Sequence, residues 1–151
     1  MEKGKRGFDD LDCYKLALKV VQEAYWVSRR LPPEEKYNLA DQMRPATVSV
    51  VLNIAEGYGR YHYLDSLRFY YIARGSLEEA LRAFIDCDQV GYTTDELPQQ
   101  RKLCGNAVRA QRYIRYVRNQ KQGQREYGNR AIREESINYK LSLPDEEHSD
   151  S

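Results

Sequence analysis

Residues 64–90 read LDSLRFYYIARGSLEEALRAFIDCDQV, and their spacing decides the fold. Phe69, Ala73, Ser76, Ala80, Ala83, Cys87 and Val90 step by 4-3-4-3-4-3. That spacing places one apolar line along an α-helix that packs on another helix. The line is small in its middle and Gly75 adjoins it, so a neighbouring helix can approach closely. A second, bulkier stripe of Tyr70, Leu77, Leu81 and Phe84 is expected to face another neighbour.

Three more segments obey the same rule. From Asp9 to Leu31, Cys13, Ala17, Val20, Ala24, Val27 and Leu31 form a seam, with Tyr14, Leu18, Val21 and Tyr25 beside it. Asp9 or Asp10 suits the N-cap. From Tyr37 to Glu56, Leu39, Met43, Ala46, Val50 and Ile54 form the line. Val48, Val51, Leu52 and Ala55 cover much of the rest, so this helix reads as a central one. Pro45 removes a helical hydrogen bond and is expected to kink it, and Gly57 reads as the residue just past its end. From Asp95 to Arg118, Leu103, Ala107, Ala110, Ile114 and Val117 repeat the seam. Pro32-Pro33, Gly57, Gly59 and Gly91 punctuate the links. The expectation is an all-α fold, an antiparallel up-down-up-down four-helix bundle.

Residues 1–8 read as an N-terminal arm, 9–120 as the bundle and 121–151 as a polar C-terminal tail. The tail holds only Ile132, Ile137, Leu141 and Leu143 of its aliphatic and Phe complement, too few for a core. It is expected to be disordered, or to form a short helix over Arg130 to Leu141 on a partner.

The 151 residues carry 24 Lys+Arg against 23 Asp+Glu, a net charge of +1. A globally basic coat and a globally acidic mimic are excluded, while a local patch is not. No apolar run is long enough to cross a membrane, and the N-terminus lacks the apolar core of a secretory signal. Three widely spaced cysteines (Cys13, Cys87, Cys104) argue against a disulfide framework and point to a reducing cytoplasm.

The residues offer little to an active site. His62 and His148 are the only histidines, and neither CxxC, HExxH nor ExxH occurs, so no metal or other cofactor is expected. Each cysteine lies on or near a seam and reads as a small core residue. One polar stripe crosses the second segment: Ser49, Asn53, Glu56 and Arg60 step by 4-3-4. With Arg68, Ser76, Glu78 and Glu79 of the next segment as candidate partners, it reads as a buried polar network that sets helix register, rather than a site with Glu56 as acid or base.

The strongest chemical signal is a run without acids. From Leu97 to Gln124 there is no Asp or Glu, while Arg101, Lys102, Arg109, Arg112, Arg115, Arg118 and Lys121 contribute a local charge of +7. Tyr113 and Tyr116 interleave. Arginines suit phosphate contact and tyrosines suit base stacking, so these nine residues form a candidate nucleic-acid surface. A solvated helix with cations near its C-terminal dipole is the other reading.

Several motifs in combination carry a family resemblance. Phe8-Asp9-Asp10-Leu11 opens the chain, then come Gln42-Met43-Arg44, Ser49-Val50, Asn53-Ile54-Ala55-Glu56-Gly57 and Gly59-Arg60. Arg68-Phe69, Ile72-Ala73 and Gly75-Ser76-Leu77-Glu78 follow. From Phe8 to Arg118 the chain resembles the four-helix bundle proteins of the 23S ribosomal RNA intervening-sequence family. That resemblance implies a bundle assembled as a cyclic homopentamer. It implies kinship with Avd, the accessory protein of diversity-generating retroelements, whose basic ring binds a reverse transcriptase and nucleic acid. The family has no established catalytic activity, so no catalytic residue carries over. The family often has a basic residue at the position of Pro45 and a proline at that of Val51, so here the proline stands upstream.

Three functions follow from these readings. The first is a non-enzymatic oligomeric scaffold that binds RNA or DNA through the fourth helix, as an accessory of a reverse transcriptase or around structured RNA. The second is a homo-oligomer with a purely structural role, drawn from the double apolar stripes of the first and third segments. The third, ranked last, is an enzyme using Glu56, Asn53 and Arg60.

Overall fold

A computed structural model describes residues 7–60 and 62–111. Among them lie four α-helices and no strand: α1 (Asp12–Arg30), α2 (Leu39–Tyr58), α3 (Tyr63–Gln89) and α4 (Leu97–Ala110). Single 3-10 turns over Phe8–Asp10 and Pro33–Glu35 precede α1 and α2. The expected arm up to residue 6, the continuation of the fourth helix from residue 112 and the tail over 121–151 lie outside the described residues.

The helices form a bundle in which α1 packs on α2 and α4, and α3 packs on the same two. The most extensive interface joins α2 and α3. The seams read from the sequence are its core: Cys13, Ala17, Val20, Ala24 and Val27 of α1 are buried, as are Met43, Val50 and Ile54 of α2. Ala73, Ala80, Ala83 and Cys87 of α3 meet them, and their small size lets α2 come close. Register along α2 and α3 is explicit, since the Ser49 and Ser76 hydroxyls lie 2.9 Å apart. Further along, Gly57 sits against Tyr70.

Gly57 departs from its expected role. It lies inside α2 and is buried, and the helix ends on Gly59 with an ordinary negative φ of −77°. A Cβ at residue 57 would stand 2.8 Å from the Tyr70 ring and 3.1 Å from the Ser66 carbonyl oxygen. Glycine is therefore demanded here by the approach of α3 and not by a left-handed turn. The true left-handed glycine is Gly91, at φ +82°. It closes α3 with a Schellman motif, in which Tyr92 N–H donates to Cys87 O at 2.9 Å and Gly91 N–H to Asp88 O at 3.0 Å.

Three further expectations are corrected. Neither Asp9 nor Asp10 caps α1. They form a 3-10 turn, and Leu11 precedes the helix with no side-chain cap. Phe8 packs edge-on against Tyr14 at 5.1 Å and Leu11 is buried, so apolar contact folds this segment back on α1. Pro45 lies inside α2, as its place in the sequence implied, and the helix runs through it. The proline is exposed, so water can reach the carbonyl it leaves unpaired. Nor is α2 covered on all sides, because Leu52 is 62% exposed. Finally, the bulky second stripe of α3 is spent inside the chain, with Tyr70, Leu77 and Phe84 buried. On α1 the second stripe does reach solvent, at Leu18 and Tyr25.

Candidate nucleic-acid interface

The fourth helix begins where Glu96 gathers the preceding loop. Its carboxylate accepts the N–H groups of Thr94 and Asp95 at 2.9 and 3.0 Å. Those bonds favour the charged form and hold the Glu96 carboxyl below its ordinary range. Pro98 stands in the first turn, where no helical N–H partner is needed.

The inner face of α4 differs from the expected seam. Gln100, Cys104, Ala107 and Val108 are buried, with Gln111 beyond the last turn, while Leu103 and Ala110 are only half-buried. The line is thus rotated by about one residue from 103-107-110. Gln100 stands where an apolar residue was expected, its amide N–H donating to Glu23 of α1 at 3.0 Å. A search for apolar periodicity passes over such a glutamine.

That rotation aims the cations. At about 100° per residue, Lys102 and Arg109 point almost directly away from the buried face and Arg101 flanks them. All three are exposed. Arg109 is folded back along the helix, donating to Asn106 and passing over Gly105. Arg101 and Lys102 form no ion pair among the described residues. Arg112, Tyr113, Arg115, Tyr116, Arg118 and Lys121, the remainder of the candidate surface, lie outside the described residues.

The polar stripe of α2 splits into two parts. Asn53 donates to the Ser49 carbonyl at 2.8 Å and to its hydroxyl at 3.1 Å, and Ser49 meets Ser76 across the α2–α3 seam. Ser49, Asn53 and Ser76 are thus linked by hydrogen bonds across the two helices. The other half is not buried. Glu56 and Arg60 form an exposed i,i+4 ion pair, and the Arg60 guanidinium lies 4.5 Å from the Phe69 ring centroid. Near the end of α2 the opposing residue on α3 is aromatic, so the stripe meets a ring face and not a hydroxyl. Arg68 is exposed on α3 and joins neither half.

The thiols are unsuited to nucleophilic work. Burial pushes Cys13 and Cys87 up to about 11 and Cys104 to about 12. Among the described residues no group of His, Cys, Asp and Glu is arranged to hold a metal ion. No helix there is long and apolar enough to cross a membrane.

Comparison with known proteins bears on the same residues. The family model of the 23S rRNA-intervening sequence protein matches residues 9–114. The chain belongs to that family. No curated protein matches it. The family match takes in all four helices and five members of the candidate surface, namely Arg101, Lys102, Arg109, Arg112 and Tyr113. Arg115, Tyr116, Arg118 and Lys121 fall beyond it.

Sequence reasoning missed two further contacts of this family member. The Glu35 carboxylate accepts Asn38 Nδ2 at 2.9 Å and Tyr92 Oη at 3.0 Å, tying the α3–α4 loop to the start of α2. Arg30 stacks over Trp26 at 3.7 Å and donates to its carbonyl. The i,i+4 spacing of Trp26 and Arg30 was a legible signal. Nothing in the sequence pairs Glu35 with a tyrosine so distant in the chain.

Proposed function

We propose that this chain is a non-enzymatic oligomeric scaffold that binds nucleic acid through its basic fourth helix. The carrying observation is the outward aim of Lys102 and Arg109, flanked by Arg101, on α4, at the start of a stretch of sequence with no acidic residue from Leu97 to Gln124. Unpaired cations on one face release counterions when they meet phosphates. The family's description, which speaks of 23S rRNA, supports RNA as the partner. In this reading the helices run up-down-up-down and the chain works in the cytoplasm as a cyclic homopentamer, so that copies of the basic face add their fields. An Avd-like role beside a reverse transcriptase is the more specific form of the proposal.

The test is fluorescence anisotropy with a structured RNA and a matched duplex DNA across a salt series. Reversing Arg101, Lys102 and Arg109 to Glu removes three phosphate contacts per chain. On duplex DNA it is expected to flatten the slope of log K against log salt by about 2.7, at ~0.9 per phosphate. Unchanged affinity and slope overturn the reading.

A homo-oligomer without nucleic-acid binding is the second reading, and exposed apolar side chains favour it. Leu52 is 62% and Ile72 46% exposed, and the Ser49–Ser76 pairing sets them at similar heights on α2 and α3. If this face joins subunits, Leu52→Glu lowers the mass measured by sedimentation equilibrium. An unchanged mass excludes Leu52 from the contact.

A further inference from the structure

A second cationic feature is built from residues outside α4. The last turns of α1, the Pro32–Lys36 connection and the start of α2 enclose a cleft of about 310 Å³. Tyr25, Ser28 and Arg29 line it from α1, Lys36 from the connection and Arg44 from α2. Three cations therefore surround one concavity, and no carboxylate is among the residues that line it. Like charges gathered around a concavity repel each other unless an anion enters.

Of the charges at the cleft, the Lys36 ammonium also lies 5.3 Å from the Tyr37 ring centroid. Glu35 is near in sequence, but its carboxylate is engaged by Asn38, the Leu39 N–H and Tyr92. Arg30, the neighbouring cation on α1, is turned onto Trp26. Arg44 is half-buried, and its Nε–H donates to the Ala40 carbonyl at 3.3 Å. That bond orients the guanidinium and leaves its terminal N–H groups for a ligand. A planar fork held this way suits two oxygens of a phosphate. Tyr25 is 37% exposed, which presents part of its ring to a flat group attached to that phosphate. The volume lies at the small end of ligand pockets, which fits one nucleotide and excludes a large cofactor.

We propose that this cleft binds the phosphate of a single nucleotide, with Arg29, Lys36 and Arg44 as its cations and Tyr25 against the base. The nucleotide is either free or the phosphorylated end of a strand. None of these residues belongs to the fourth helix, so the site stands or falls independently of the nucleic-acid surface there.

The experiment uses the full chain and isothermal titration calorimetry. Its probes are adenosine monophosphate and a hexamer RNA bearing either a 5′-phosphate or a 5′-hydroxyl. Arg29→Gln and Arg44→Gln are each expected to weaken phosphate binding about tenfold, the usual worth of one charge-assisted pair. Lys102→Glu/Arg109→Glu is expected to leave adenosine monophosphate binding unchanged. A free nucleotide is the ligand if adenosine monophosphate binds at least as well as the phosphorylated hexamer. A strand end is the ligand if the 5′-phosphate hexamer binds best and the 5′-hydroxyl form loses that gain. The proposal is overturned if neither phosphate probe binds at millimolar concentration. It is also overturned if Arg29→Gln, an exposed substitution that spares the fold, binds as well as the parent.

Discussion

The most direct test of the α2–α3 packing is a pair of identical substitutions with opposite expected signs. Gly57 and Gly75 both lie within helices, and alanine at either position gains roughly 1 kcal/mol of helix propensity. Gly75 is exposed and a Cβ there meets nothing within 4 Å, so Gly75→Ala is expected to stabilise by about 0.5–1 kcal/mol. At Gly57 the same Cβ would stand 2.8 Å from Tyr70 Cε1, 3.0 Å from Cδ1 and 3.1 Å from the Ser66 carbonyl oxygen. Tyr70 is 4% exposed and the Ser66 oxygen is backbone, so neither yields cheaply. Overpacking typically costs about 1–3 kcal/mol, and two unyielding neighbours at once put Gly57 in the upper part of that range, about 2–3 kcal/mol, which leaves a net loss of about 1–2 kcal/mol after the propensity gain. Thermal and urea unfolding followed by circular dichroism at 222 nm reads both variants. At about 4 °C per kcal/mol, Gly57→Ala should lower Tm by about 4–8 °C, while Gly75→Ala should raise it slightly. A Gly57→Ala protein as stable as the parent would refute the close approach of α3 at this point.

Three further outcomes follow from the same geometry. Ser49→Ala and Ser76→Ala each lose about 1 kcal/mol, and a double-mutant cycle should return a coupling of about 0.5–1.5 kcal/mol. Zero coupling would mean the two hydroxyls do not meet. The buried thiols make stability fall at high pH, because the folded chain holds their protons while the unfolded chain releases them near the ordinary value of 9.0. The loss begins near pH 9 and grows towards pH 11–12, at on the order of 1 kcal/mol per thiol by pH 10. Serine at all three positions should flatten the thiol contribution in denaturant titrations across that window. Reaction with a disulfide reagent at pH 8 is expected to be slow for the native chain and fast in guanidinium, and three thiols titrating at once in the native state would contradict their burial.

The α1 and α3 seams were legible because their core residues are apolar and evenly spaced. Steps of three and four residues can describe only a helix face, and Cys13 through Val27 and Ala73 through Cys87 proved buried. The fourth helix was legible as an element but misread by about one residue in rotation. Gln100 sits in the core by bonding Glu23, and polarity alone assigns it to solvent. The polar stripe on α2 failed for a related reason. Spacing groups Ser49, Asn53, Glu56 and Arg60 on one line, but what each meets depends on the opposing helix. Ser76 meets the beginning of the line and Phe69 its end.

The sequence by itself therefore determined the all-α class, the apolar seams of α1, α2 and α3 and the acid-free run from Leu97 to Gln124, because these are local properties of the chain. Only the tertiary structure decided the meaning of Gly57, the turn of α4 that aims Lys102 and Arg109 outward, and the union of Arg29, Lys36 and Arg44 around one cleft. Each of these depends on the distance and rotation between elements. Side chains far apart in the chain set those quantities by filling the same space.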